Sequence, residues 1–124
     1  MRIVIPVSAG ELVDKLTILF IKLGKIPEHK AKIQLEIDLL EPELSKIELP
    51  YDVFNKLESI NLSLWDVEDQ IRILDKQKNF GAAFIQLARS VYQLNGERCK
   101  IKKEIDILNG SEITEFKKYT VDQN

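Results

Sequence analysis

Two long stretches of the chain place apolar residues at alternating four- and three-residue steps. The first runs through Val53, Leu57, Ile60, Leu64, Val67, Ile71 and Leu74. The second runs through Phe80, Phe84, Leu87, Val91, Leu94, Arg98, Ile101, Ile105 and Leu108. A sustained period of about 3.5 residues predicts two helices that share a left-handed supercoiled seam. Asn79 and Gly81 supply turn chemistry between them, and so short a connection makes the helices antiparallel neighbours. The unit is an αα-hairpin about 40 Å long, from the rise per residue of an α-helix.

The rest of the chain repeats these steps over shorter runs. Ser8-Ala9-Gly10-Glu11 reads as a capping box, in which the Ser8 hydroxyl and the Glu11 carboxylate each satisfy an open amide. A helix follows on Leu12, Leu16, Leu19 and Leu23, with Glu11, Asp14, Lys15, Lys22 and Lys25 on the opposite side and Gly24 as a left-handed stop. A second helix begins after Pro27 on Ile33, Ile37, Leu40, Leu44 and Ile47. Pro42 predicts a kink or break near Leu40 to Glu41. Pro50 ends that segment, and Gly110 caps the last helix. Arg2 to Val7 is β-branched and reads as a short strand. The tail at 112–121 shifts toward β-formers (Phe116, Tyr119, Thr120, Val121). Pairing the two gives a two-stranded ribbon, which is marginal by itself and must pack on the helices or pair across a dimer. The expected fold is all-α: a three- to four-helix bundle on a long antiparallel hairpin, with a small ribbon from the termini, in a single domain spanning 1–124.

Composition narrows the function classes. A chain of 124 residues has room for one compact core. A formal net charge of −2 argues against a general nucleic-acid surface, which is basic. The lone Cys99 forms no internal disulfide, so a reducing cytoplasm is expected. The amino-terminal apolar run is broken by Pro6, too short for a signal-peptide core. The apolar stretch from Leu12 to Leu23 carries Asp14, Lys15 and Lys22, so no membrane span is expected.

Candidate chemistry lies off the seam. Glu68 and Arg72 are spaced for a helix-surface ion pair. A second apolar stripe of Leu62, Trp65 and Ile73 is interrupted by Asp69 and bordered by Asp66, and a carboxylate set in such a stripe needs a cation. The last helix has a matching stripe of Ile85, Ala88, Tyr92, Asn95 and Cys99, bordered by Arg89. Asp69 and Arg89 are level along the hairpin but turned from the seam, so each is expected to meet the first helix, at Asp14 or Lys15, or another subunit. Arg98 occupies a core heptad position near Glu58 and Asn61, where a polar residue fixes register or partner choice. The ligand-binding candidates are therefore Lys15, Asp66, Asp69, Arg89, Tyr92 and Arg98. One His and one Cys far apart assemble neither a zinc site nor a Cys-His nucleophile, and no metal or cofactor is expected. The helical carboxylates match the all-α nucleotide pyrophosphohydrolases poorly, because Arg72 stands where a third acid is needed. The inward arginines similarly give only a partial likeness to chorismate-mutase-like helices.

Four stretches carry a clearer resemblance: SAGELVDKLTIL at Ser8 to Leu19, SLWDVED at Ser63 to Asp69, FIQLARSVYQLNGERCKIKKEID at Phe84 to Asp106, and GSEITEFKKY at Gly110 to Tyr119. Together they resemble a family of small bacterial and phage proteins of unknown function. The resemblance implies no reaction and no catalytic residues; it hints at bacterial surface-polysaccharide assembly as a setting. The leading expectation is a non-enzymatic interaction or assembly protein acting as a homodimer. The rival is a small-molecule site, for a sugar phosphate or nucleotide, built from the six candidates.

Overall fold

The computed structural model describes residues 1–116. Among them the chain forms four α-helices: α1 (Ala9–Lys25), α2 (Lys30–Leu40), α3 (Tyr51–Lys76) and α4 (Ala82–Leu108). Single 3₁₀ segments, Pro27–His29 and Glu41–Lys46, flank α2. The second of these is the break expected at Pro42, where the missing N–H and the ring end the α-helical ladder. α3 and α4 form the antiparallel hairpin, and α1 packs against both of them and against α2.

Two apolar clusters hold this arrangement. At the hairpin base Val13 of α1 joins Val53, Leu57, Ile101 and Ile105. On the other side of α1, Leu16 and Leu19 join Ile33 and Ile37 of α2. α1 is thus buried on two sides and is the central helix, although its sequence pattern shows only one apolar stripe. Each fully buried aliphatic side chain contributes about 2 kcal/mol.

Both hairpin ends are closed by Schellman motifs. At the tip the Asn79 N–H donates to the Leu74 carbonyl (2.9 Å) and the Lys78 N–H to Asp75 (3.0 Å). The left-handed residue is Lys78, with φ of 55°, and the Asn79 side chain accepts from the Gly81 N–H at 3.3 Å, the turn chemistry expected of that pair. At the base Gly110, with φ of 57°, lets the Ser111 N–H reach the Asp106 carbonyl at 3.0 Å, as expected of a glycine past a helix end.

Three local expectations are corrected. Gly24 is inside α1, which runs one residue further before Pro27 stops it. Ser8 Oγ accepts from the Glu11 N–H at 3.1 Å, but the Glu11 carboxylate turns to Lys102 at 2.7 Å, so the capping box is half formed. The β-ribbon is not formed among the described residues: Arg2 to Val7 is exposed and unpaired, and positions 117–121 of its expected partner lie outside them.

Candidate functional site

The hairpin and α1 meet in a buried polar network. α1 turns Gly10, Asp14 and Thr17 toward the hairpin, and α4 offers Arg98, Lys102 and Asp106 at four-residue spacing along one face. Asp14 is 1% exposed. Arg98 grips it with two N–H donors, Nε to Oδ1 at 2.8 Å and Nη2 to Oδ2 at 2.5 Å. Asn61 of α3 donates from Nδ2 to the same Oδ1 (3.0 Å) and to Thr17 Oγ1 (2.8 Å). The Thr17 hydroxyl in turn donates to the Asp14 carbonyl at 2.7 Å. One carboxylate therefore ties three helices together.

Beside it, Lys102 is 8% exposed and is held by Glu11 at 2.7 Å and Glu115 at 3.0 Å, with Asp14 at 4.0 Å. Asp106 closes the amino end of α1. Its Oδ1 accepts from the Gly10 N–H at 2.7 Å and its Oδ2 from the Thr114 hydroxyl at 3.0 Å. An α-helix start is stabilised by such a carboxylate, and here the fold supplies that anion from its own last helix. Among the described residues every buried side-chain polar atom has a hydrogen-bond partner.

Burial alone would raise the Asp14 carboxyl. The hydrogen bonds from Arg98 and Asn61, with the charges of Arg98 and Lys102, outweigh it and hold the group below its ordinary value. The Arg98 guanidinium is pushed up, chiefly by its hydrogen bond to Asp14. Burial opposes the Lys102 charge, but Glu11 and Glu115 overcome it and raise that group too. A carboxylate lowered by folding stabilises the fold above its unfolded value of about 3.9, and that stability is lost as pH falls through the folded value. Urea titrations from neutral pH into acid are expected to show stability falling as Asp14 takes up its proton. An Asp14→Asn variant should be weaker at neutral pH and show a flatter acid dependence.

The six sequence candidates separate. Lys15 pairs with Glu36 of α2 at 3.1 Å, and Asp66 with Lys25 at 3.6 Å. Asp69 meets Arg72 of its own helix at 3.3 Å, and Glu68 shares that guanidinium at 3.8 Å. Arg89 and Tyr92 face solvent. Arg98 enters the buried network, joined through Asp14 to the Asn61 expected near it. The sequence pattern sets Asp14 near Asp69 and Arg89 instead, and gives no part in a site to Glu11, Thr17, Lys102 or Asp106, all of which the network uses. The available signal was the Arg98–Lys102–Asp106 spacing against Gly10–Asp14–Thr17. A recess of about 230 Å³ borders the network, lined by Glu11, Asn95, Arg98, Cys99, Lys102 and Glu115. Among the described residues no group of His, Cys, Asp or Glu is arranged to hold a metal, and no helix is long and apolar enough to cross a membrane.

No curated protein and no solved structure matches the chain. The description "family of unknown function (DUF6165)" belongs to the family whose model matches residues 1–123, and the chain is a member of that family.

Proposed function

We propose that the chain is a non-enzymatic assembly protein: a single helical domain in a reducing cytoplasm that works as a homodimer through its α3–α4 hairpin. One observation carries this reading. None of residues 65–95 is buried, although this stretch holds the middle of the heptad seam. α1 runs along the hairpin from its base as far as Asp66, which Lys25 reaches, and the part beyond is a two-helix arm. Its seam residues Val67, Ile71, Leu74, Leu87 and Val91 are half-buried, while Ile73 and Ile85 are each 56% exposed. Two supercoiled helices bury such a seam best when further helices cover it, and a second arm would complete a four-helix bundle. The closed polar network supports the same reading, since its charges are spent on joining helices. Light scattering at micromolar concentration is expected to give a two-chain mass; a single-chain mass would remove the reading.

The second reading, a sugar-phosphate or nucleotide site drawing on Arg98 with Lys15, Asp66, Asp69, Arg89 or Tyr92, is favoured by the recess beside Arg98 and Lys102. It has less support. Arg98 is committed to Asp14, and Glu11, Glu115 and Asp14 balance the two cations, leaving no surplus positive charge for a phosphate.

A further inference from the structure

Beyond α4 the chain turns back along it. Gly110 is left-handed, with φ of 57°, and residues 111–116 then run without helix or strand past three polar sites. The Ser111 hydroxyl accepts from the Ala9 N–H at 3.3 Å. The Thr114 hydroxyl donates to Asp106 Oδ2 at 3.0 Å, and the Glu115 carboxylate meets Lys102 at 3.0 Å. Phe116 lies against Lys103, whose ammonium is 5.6 Å from the ring centroid. Asp106 and Lys102 are about one helical turn apart, so the segment climbs α4 from the base. Cys99 is the next step up, and it lines the recess with Glu115, Arg98 and Lys102.

What holds this strap differs from what holds the helices. Its apolar side chains, Ile113 and Phe116, are 46% and 80% exposed, so burial contributes little. Its fastening is polar. A hydrogen bond of this kind shifts an equilibrium by about a factor of five, and a part-exposed ion pair such as Lys102 with Glu115 by no more. The helices beneath keep partners of their own. Asp106 retains the Gly10 N–H, Lys102 retains Glu11, and Arg98 retains Asp14. A segment fastened in this way opens locally, at far lower free energy than global unfolding.

We infer that residues 111–116 are a latch that swings open about Gly110 while the four helices stay in place, uncovering Lys102 and the recess as far as Cys99. Closed, the latch sets a carboxylate against Lys102 and a hydroxyl against Asp106, two charged groups that are 8% and 5% exposed. Open, both meet water on one side, and the ammonium faces the recess beside Asn95, Arg98 and Cys99. The latch thus decides whether solutes reach this part of the network. It lies at the hairpin base and is independent of the homodimer reading, which rests on the outer arm.

Cys99 is the sole cysteine, so its alkylation by uncharged iodoacetamide in the full chain under native conditions reports the opening. Thr114→Val and Ser111→Ala loosen the strap at contacts outside the recess and change no charge beside the thiol. Expected is alkylation about five-fold faster in each variant. The rates should be nearly independent of urea below the unfolding transition, because an opening latch exposes little surface. Ser111→Ala carries the test where Thr114→Val fails to fold. Alkylation at the unsubstituted rate in the folded variants would overturn the latch. Rates that climb with urea as steeply as global unfolding would overturn it too, since the thiol would then be reached only through loss of the fold. The unsubstituted chain supplies this second measurement without any variant.

Discussion

An Arg98→Met variant is expected to lose about 3 kcal/mol of folding stability, at the lower end of the cost of removing one partner from a buried ion pair. The reason is Asp14, whose side chain is 2% exposed and keeps its charge with no route to water. Two charge-assisted hydrogen bonds vanish. The Asn61 amide and Lys102 at 4.0 Å replace them only in part. The loss stays at the lower end because the Arg98 side chain is itself 29% exposed. Adding Asp14→Asn should recover a good part of the loss, since the amide removes the stranded charge and still accepts from Asn61. Lys15→Ala is the contrasting substitution: Lys15 is exposed and its partner Glu36 only half-buried, and such surface pairs contribute roughly 0–1 kcal/mol. Urea denaturation at neutral pH measures all of these. Melting unchanged by Arg98→Met would contradict a structural role for the network.

Gly10→Ala should be as damaging, against the usual preference of helices. Within a helix this change ordinarily gains about 0.5–1 kcal/mol. At Gly10 the added Cβ would run into the Lys102 carbonyl oxygen and stand 2.8 Å from Asp106 Oδ1. The first obstacle is backbone, which cannot swing aside as a side chain can, so α1 has to lift from α4. That displacement stretches the bond from the Gly10 N–H to Asp106 and loosens Val13 in the base cluster. A loss of about 3 kcal/mol is expected, combining an overpacking strain of about 1–3 kcal/mol with a weakened charge-assisted bond. Gly24→Ala is the internal control. That glycine lies in the same helix with nothing near its missing Cβ, and the substitution should stabilise by the ordinary helix propensity. Opposite signs at the two positions, read as shifts in thermal midpoint, locate the effect in the close α1–α4 approach. Equal signs would contradict it.

The hairpin was legible because a long heptad run admits few other structures: α3 and α4 follow the spacing of Val53 to Leu74 and Phe80 to Leu108. Pro42 also announced its own break. What escaped was set by tertiary contact. Asp14 sits on the charged side of α1 in the sequence, next to Lys15, and only the approach of α4 makes it a buried anchor. Gly10 reads as a residue within a cap until the Lys102 backbone lies against it. Glu11 suits a capping box, but a buried lysine competes for its carboxylate and wins. In the sequence Asp69 is a carboxylate in need of a distant cation, whereas in the fold Arg72, three residues on and already matched to Glu68, reaches both. The single arginine in the seam, Arg98, was the one polar position whose spacing alone pointed to the network it enters.

The central proposal is that the outer α3–α4 arm, rather than the buried network, is the working surface of this chain. Sedimentation equilibrium on the unsubstituted protein and on a Leu87→Glu variant tests it most directly. Leu87 is half-buried in the seam of the outer arm and belongs to neither apolar cluster at the base, so a glutamate there should leave those clusters intact and place a charge in the contact between copies. Expected is a two-chain mass for the unsubstituted protein and a single-chain mass for the variant, with its helix content retained. A single-chain mass for the unsubstituted protein, or a two-chain mass undisturbed by Leu87→Glu, would contradict it.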